Sequence, residues 1–412
     1  MTMAPQAALP PRAAVAPRAA PAGHPFAELR DTAAVVGVGY HPFSKRSGLS
    51  PLAMAASAVL AAVEDAGLAP ADLDGVATHH LNDSAGPHEL AAALGLRGIT
   101  WSHEELGGGS KAPALVGHAA AALHTGQATH VVVYRSLNGR SGHRMGGTGG
   151  GAPITRPDTL FQVPYGLVSP SQVYALSARM HMDRFGTTEE HLGQVALAQR
   201  RFAVDNERAV MRAPLAMCDY LSSRLVTEPL RLLDCCLETD GACALVLTTT
   251  PRARDLRHRP VTVRAWASAF GPDGFGHGAA DLTTSSSALV ARTLWARAGI
   301  GPADVDVAEL YDAFTIAVLL QLEDYGFCGR GEAGPFVAGG VTAPGGRLPV
   351  NTHGGFLSEG YVHGINHIAE AVSQLRGDAG ARQVPGCEVA LSTAQPGFPT
   401  GISSAVLLRR QP

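Results

Sequence analysis

The feature that most constrains this 412-residue chain is a phrase used twice: residues 66–76 read AGLAPADLDGV and residues 298–308 read AGIGPADVDVA. Each follows a helical stretch and leads into a strand. The glycine stops the helix, Pro-Ala-Asp makes a turn, and the strand begins after the last aspartate. Two matched helix–turn–strand units far apart imply two similar halves. A convenient helix stop used twice by chance is the alternative that the sequence leaves open.

Between and around these phrases, strands alternate with helices. Ala33–Tyr40 is a short β-branched run closed by glycine, hence a buried strand. Ser50-Pro51 supplies an N-cap and a first-turn proline for a helix over Leu52–Ala66. Leu73–Thr78 and Thr129–Tyr134 are further strands. Gly107-Gly108-Gly109 precedes Ser110–Thr125, which is apolar almost all round and so a buried central helix. The Gly-rich stretch Asn138–Pro153 is too long for an ordinary connection, and helical patterns over Ser171–Phe185 and Thr188–Val204 follow it. The core resumes at Cys243–Thr248. A strand end at Tyr311-Asp312, a helix over Ala313–Tyr325, the loop Arg347–Gly355, a helix over Gly360–Arg376 and a hairpin of Glu388–Thr393 with Ser403–Leu408 complete the second half. The class is layered α/β. The expected organisation is an Ala/Pro-rich disordered tail over 1–31, an N-terminal half over 32–255 carrying a helical insertion at about 137–225, and a C-terminal half over 256–412.

Composition excludes several functions. A formal charge of -3 without basic runs argues against nucleic acid. No apolar run approaches the roughly 20 residues that span a bilayer. Six scattered cysteines, two of them adjacent (Cys235, Cys236), do not form a disulfide framework. Met1–Gly23 is interrupted by prolines and lacks the apolar core of a secretory signal; Pro10 and Pro11 also disfavour a transit-peptide helix. The expectation is a soluble, cytoplasmic, oligomeric protein.

The blocks VVGVGYHPF, GGG before the central helix, LLDCCLETDGACALVL, AELYDAFT and NTHGGFLSEGYVHGINHIAEAVSQLRG resemble the thiolase superfamily, in its sterol-carrier and lipid-transfer-protein-like branch. The resemblance runs from about Thr32 to Arg410. It implies the thiolase fold, two βαβαβαββ halves in five α/β/α/β/α layers. Thiolases use a cysteine at the start of the buried helix, where the positive helix end favours the thiolate. Here that position is Ala112. The second family cysteine has no counterpart in Leu391–Gly401, the histidine of the family's Gly-His-Pro motif is replaced by Tyr361, and the first residue of its Asn-Glu-Ala-Phe motif by Tyr311. The acyl-transfer set is missing as a whole.

Tyrosines at both vacated positions resemble the steroid side-chain retro-aldolases, which cleave a β-hydroxyacyl-CoA and act with a small zinc-ribbon/OB-fold partner. On that resemblance Tyr311 and Tyr361 are the proton-transfer pair, and His353, Asn351 and His363 are candidate donors to the enolate oxygen. The resemblance also implies a homodimer, an acyl-CoA substrate with CoA as carrier, no cofactor bound by the chain itself, and no metal. Both tyrosines as mere fillers of vacated volume, a cysteine-free acyltransferase or condensing enzyme of secondary metabolism, and a non-catalytic thiolase-fold subunit are the competing readings.

Other residues carry weaker signals. Ser110 reads as an N-cap rather than a nucleophile. Lys111 is equally compatible with a CoA phosphate and with solvent. His79-His80 follow a strand end in a segment that could line a substrate channel, but a loop histidine pair reads first as hydrogen-bonded surface. His103, His118, His143, His181, His363 and His367 show no compact metal spacing, although His363 and His367 would share one helix face. The cysteines read as structural, and Gly146–Gly151 lacks the context of a phosphate loop.

Overall fold

The computed structural model describes residues 25–142, 144, 163–271, 281–395 and 401–411. The tail expectation over residues 1–24 and the Gly146–Gly151 segment lie outside the described residues. In chain order the main elements are β1 (Ala33–Ser44), α1 (Pro51–Ala66), β2 (Gly75–His80), α2 (Pro87–Leu94), β3 (Trp101–Leu106), α3 (Ala112–His124), β4 (His130–Asn138), α4 (Pro170–Phe185), α5 (Glu189–Val204), β5 (Asp240–Thr249), β6 (Val261–Phe270), α6 (Ser287–Ala298), β7 (Val307–Glu309), α7 (Thr315–Asp324), α8 (Ile365–Arg376), β8 (Val389–Ala394) and β9 (Ile402–Arg410).

The two repeated phrases fold alike, atom for atom. Gly67 and Gly299 end α1 and α6 at φ 73° and 72°. In the turns that follow, Asp72 accepts from the Ala69 amide and Asp304 from the Gly301 amide, both at 2.8 Å. The next aspartate then reaches the strand it must pair beside. Asp74 accepts from the Thr129 and His130 amides at 2.8 and 2.9 Å, and Asp306 from those of Glu388 and Val389 at 2.8 and 2.9 Å. A helix stop reused by chance does not bring matched long-range contacts. Duplication does.

Strand order makes the same point. The nine strands run β3-β2-β4-β5-β1-β6-β9-β8-β7. Read outward from the middle, β1-β5-β4-β2 corresponds to β6-β9-β8-β7, with antiparallel and parallel pairings in the same sequence. Within the sheet, the described residues join the halves at Ala34↔Thr262 and Val35↔Val261. In the second half the counterpart of β3 is reduced to one parallel bridge, Ala308↔Val350.

Apart from the edge strand β3, whose alternate residues are exposed, the long strands are buried on both faces, and their alternate residues enter different cores. Val36, Val132, Tyr134 and Val246 pack against Met54, Ala58 and Val59 of α1. Val35, Val133 and Leu245 meet α3 and α8 (Leu115, Val116, Ile368, Val372), which are covered on the other side by Val263, Val406 and Leu408. Ala265, Ala405 and Leu407 face Val290 and Leu294 of α6. The result is the five-layer α/β/α/β/α arrangement, with α3 and α8 as its central helical layer. Helices α4 and α5 add Tyr174, Leu192 and Val195 to the last of these cores.

Three expectations change. Residues 25–31 belong to the fold rather than the tail: Phe26 meets Trp266 edge-on at 4.6 Å, and Asp31 pairs with Arg264 at 2.6 Å. The last central helix begins at Ile365, not Gly360, because His363 and Gly364 adopt left-handed φ of 55° and 96°. The N-cap of α3 is Lys111, not Ser110, whose carbonyl instead accepts from Ser404 Oγ at 2.6 Å.

Candidate active site

The duplication brings the starts of α3 and α8 together. A Cβ built on Gly364 would lie 3.8 Å from that of Ala112 and 3.8 Å from the Tyr311 ring. Two helix N-termini, each with unpaired N–H groups and a partial positive charge, therefore face one small region. Ala112 is fully buried there and offers only a methyl group.

The Tyr311 and Tyr361 hydroxyls meet at 2.7 Å in this region. Tyr311 follows β7, and Tyr361 sits in the loop before α8. Their backbones are fastened from behind. The Tyr311 amide donates to Thr393 Oγ1 at 2.9 Å and its carbonyl accepts from Gln321 at 2.7 Å; the Tyr361 amide donates to Thr239 Oγ1 at 2.9 Å. Phe356 packs edge-on against both rings, at 4.9 and 4.7 Å. Burial, with the neighbouring phenol second, holds Tyr311 well above the usual phenol range. Burial pushes Tyr361 up as well, with Cys236 second, against the pull of the Tyr311 hydrogen bond and the Arg135 charge. Neither phenol is ionised at neutral pH.

Glycines shape the other wall. A methyl at Gly109 would come within 1.7 Å of the Tyr311 hydroxyl and 2.8 Å of the Gln395 carbonyl. Gly109→Ala is therefore expected to strain the site by about 1–3 kcal/mol and to displace the hydroxyl pair. That should lower kcat about tenfold while the thermal transition remains cooperative. Steady-state kinetics beside a melting curve check this.

Of the candidate donors, His363 alone touches the tyrosines, its ring lying 4.9 Å edge-on from Tyr361. Its Nδ1 accepts from Arg135 Nε and Nη2 at 3.1 and 2.9 Å. Burial first, and the Arg135 charge second, hold its pKa well below 6.5. Asn351 is committed elsewhere: its amide both accepts from and donates to the Leu310 backbone, at 2.7 and 2.9 Å, which steadies the approach to Tyr311. His353 lies fully buried between carboxylates, with Nδ1 2.9 Å from Glu309 and Nε2 3.7 Å from Glu359. Burial alone would lower its pKa, but Glu359 and Glu309 outweigh that and raise it to about 9. That direction favours the protonated ring at neutral pH. His367 is turned away from His363 and bonds Asp312 at 2.9 Å, so the two histidines do not share a helix face.

Several residues depart from their sequence reading. His79 is not at the surface; it is buried at the end of β2, its ring 5.9 Å from that of His363. His80 does meet Glu104, at 2.6 Å. The Lys111 side chain folds over Gly107 and pairs with Glu105 at 2.5 Å, largely withdrawn from solvent. Folding also brings ligand atoms of His103, Glu105 and His118 within 4.8 Å of one another, which sequence spacing gave no reason to expect. There Lys111 already supplies the positive charge that Glu105 needs. Burial raises the Cys235 thiol to about 12 and holds Cys236 well above its ordinary value, consistent with inert packing. Arg135 and Asp83 escaped notice. The only signal was an arginine closing the apolar run of β4, whose partner lies far away in sequence.

The thiolase C-terminal domain-like family matches residues 276–409. The 17-hydroxy-3-oxo-4-pregnene-20-carboxyl-CoA lyase of Mycobacterium tuberculosis is 46% identical over 90% of this chain and 98% of its own length. The chain belongs to the thiolase family. A second relative of this thiolase-like protein, the steroid side-chain-cleaving aldolase of Thermomonospora curvata, is 42% identical over 90% of this chain and 97% of its own. Among solved structures, the Ltp2-ChsH2(DUF35) aldolase superposes with a TM-score of 0.87 at 41% identity, covering 93% of this chain and 98% of that one. Among the described residues of this family member, no helix is long and apolar enough to cross a membrane.

Proposed function

We propose that this protein is a carbon–carbon lyase that cleaves a β-hydroxyacyl-CoA thioester of the steroid side-chain type by a retro-aldol reaction. The observation that carries the reading is the 2.7 Å contact between the Tyr311 and Tyr361 hydroxyls beside Ala112, where thiolases hold their cysteine. The substrate named for the 46%-identical relative fits this chemistry. Its thioester sits on C20, and C17, the β-carbon, carries the hydroxyl. Cleavage of that bond yields a 17-ketone and a three-carbon acyl-CoA.

The reaction moves one proton from the β-hydroxyl to the α-carbon, and its electrons balance within the substrate. As the hydroxyl proton leaves, the O–H pair forms the C=O bond of the ketone, the Cα–Cβ bond breaks, and its pair becomes the thioester enolate. A phenol pair suits this transfer. One oxygen accepts the hydroxyl proton while its own proton crosses the short bond, and the second phenol delivers a proton to carbon. No free phenolate is needed, which agrees with the raised pKa of both groups. The enolate oxygen is met by His363 Nε2–H and by backbone N–H groups at the helix starts. No acyl-enzyme forms, so the loss of cysteine costs nothing.

By the same reading the protein is a homodimer that works with a zinc-ribbon/OB-fold partner, which completes the channel for a bulky substrate. The test is to co-purify the protein with such a partner and supply the 17-hydroxy thioester. Ketone and propionyl-CoA should appear in equal amounts, with no acyl adduct in the intact mass. Absence of both products, or a stable acyl adduct, overturns the reading.

A further inference from the structure

We propose that Arg135 is a positioning residue for this reaction: with Asp83 it locks His363 as the Nε2–H tautomer and so aims a neutral N–H donor at the substrate's thioester oxygen. The inference rests on the lyase reading above and extends it to groups outside the tyrosine pair.

A guanidinium has five N–H donors and no acceptor. His363 Nδ1, which receives two of those donors, must therefore carry its lone pair, and in the neutral ring the proton belongs to Nε2. Arg135 is itself immobilised. Its Nη2 donates to both Asp83 oxygens at 2.7 Å and its Nη1 to the Ser136 carbonyl at 2.8 Å. The side chain is fully buried on β4, a costly place for a charge unless it is paired. Asp83 alone would satisfy that charge. The two bonds to His363 go beyond what burial of Arg135 requires, and they point to the imidazole as the group being served.

At the opposite edge of the buried His363 ring, Nε2 makes no hydrogen bond among the described residues. A Cβ at Gly108 would stand 3.4 Å from its Nε2, and glycine leaves this approach uncovered. His79, nearby, is set the other way. Its Nδ1 donates to the Gly107 carbonyl at 3.1 Å, and its buried Nε2 has no partner among the described residues. The two rings thus present one donor and one acceptor at the same wall, a polar pair matched to a substrate bearing both a carbonyl and a hydroxyl.

The charged and titratable groups that face His363 are Arg135 on β4, Asp83 after β2, His79 on β2, and Tyr361 with Tyr311 behind it. In Arg135→Met the freed Asp83 carboxylate favours the imidazolium, so His363 titrates nearer neutrality. Below that pKa it still presents Nε2–H; above it the tautomers mix. The variant's kcat should therefore fall as pH rises from 6 to 8, reaching about tenfold below wild type at pH 8, in the range usual for loss of an orienting partner. Wild type should show no such limb, and Arg135→Lys should restore much of the loss. A reduction by one constant factor across pH would mark a merely structural role and overturn the proposal. Should Arg135→Met fail to fold, ¹⁵N-histidine spectra of the wild-type protein decide: a proton on Nδ1 of His363 overturns the lock, and one on Nε2 supports it. Those spectra need no turnover. A wild-type protein that releases no ketone sinks the lyase reading, while the tautomer result tests the lock independently.

Discussion

Tyr311→Phe and Tyr361→Phe should each lower kcat by about 10²–10⁴-fold, the range of general acid–base catalysis, with little change in KM. Either substitution removes one oxygen and keeps the ring, so the edge-on packing against Phe356 survives. The stability cost is the orphaned partner hydroxyl, about 1–3 kcal/mol, which leaves a cooperative melt. Because a relay needs both oxygens, the double variant should be hardly worse than either single one. Both phenols are held above their ordinary range, so no alkaline gain in rate should appear between pH 7 and 9. Turnover within a few-fold of wild type, in a folded variant, would reduce the tyrosines to fillers of vacated space.

How legible this was in the sequence depended on the range of the contacts involved. The Pro-Ala-Asp phrases are local devices, and both were readable from their own residues. Tyr311 and Tyr361 stood out because each interrupts a block otherwise close to the thiolase pattern. β3 was missed: its inward positions, Trp101, His103 and Glu105, are mostly polar, so the alternation carries little apolar contrast. The start of α8 was misplaced since the apolar pattern runs on through Val362, whereas Gly360 and Gly364 marked the irregular turn that presents His363. Arg135 and Asp83 were beyond reach. What makes a buried arginine tolerable is a carboxylate 52 residues away, and nothing in the intervening sequence declares the pair.

His353 provides the second large effect. Its pKa is raised to about 9 in the fold against an ordinary 6.5. A raised value means stability that is fully present below the unfolded pKa and is lost as pH climbs through the folded one. The shift of two to three pH units, at about 1.4 kcal/mol each, amounts to roughly 3 kcal/mol. Denaturant unfolding at pH 6.5 and 9.5 should therefore show wild type losing roughly 3 kcal/mol more than His353→Gln over that interval; other titrating groups cancel in the comparison. At pH 6.5 the variant should be less stable by about 3–5 kcal/mol, since buried Glu309 loses its cation, whereas Glu359 keeps Arg208 at 3.2 Å. Equal slopes for the two proteins would show that His353 is neutral in the fold. The consequence extends to catalysis through chain connectivity. Glu309 stands two residues before Tyr311 and Glu359 two before Tyr361, so one imidazolium clamps both segments that carry the hydroxyl pair. Discharging it above pH 9 should loosen their 2.7 Å contact, and kcat should fall in the same pH window as stability, while His353→Gln, already unclamped, shows no such fall.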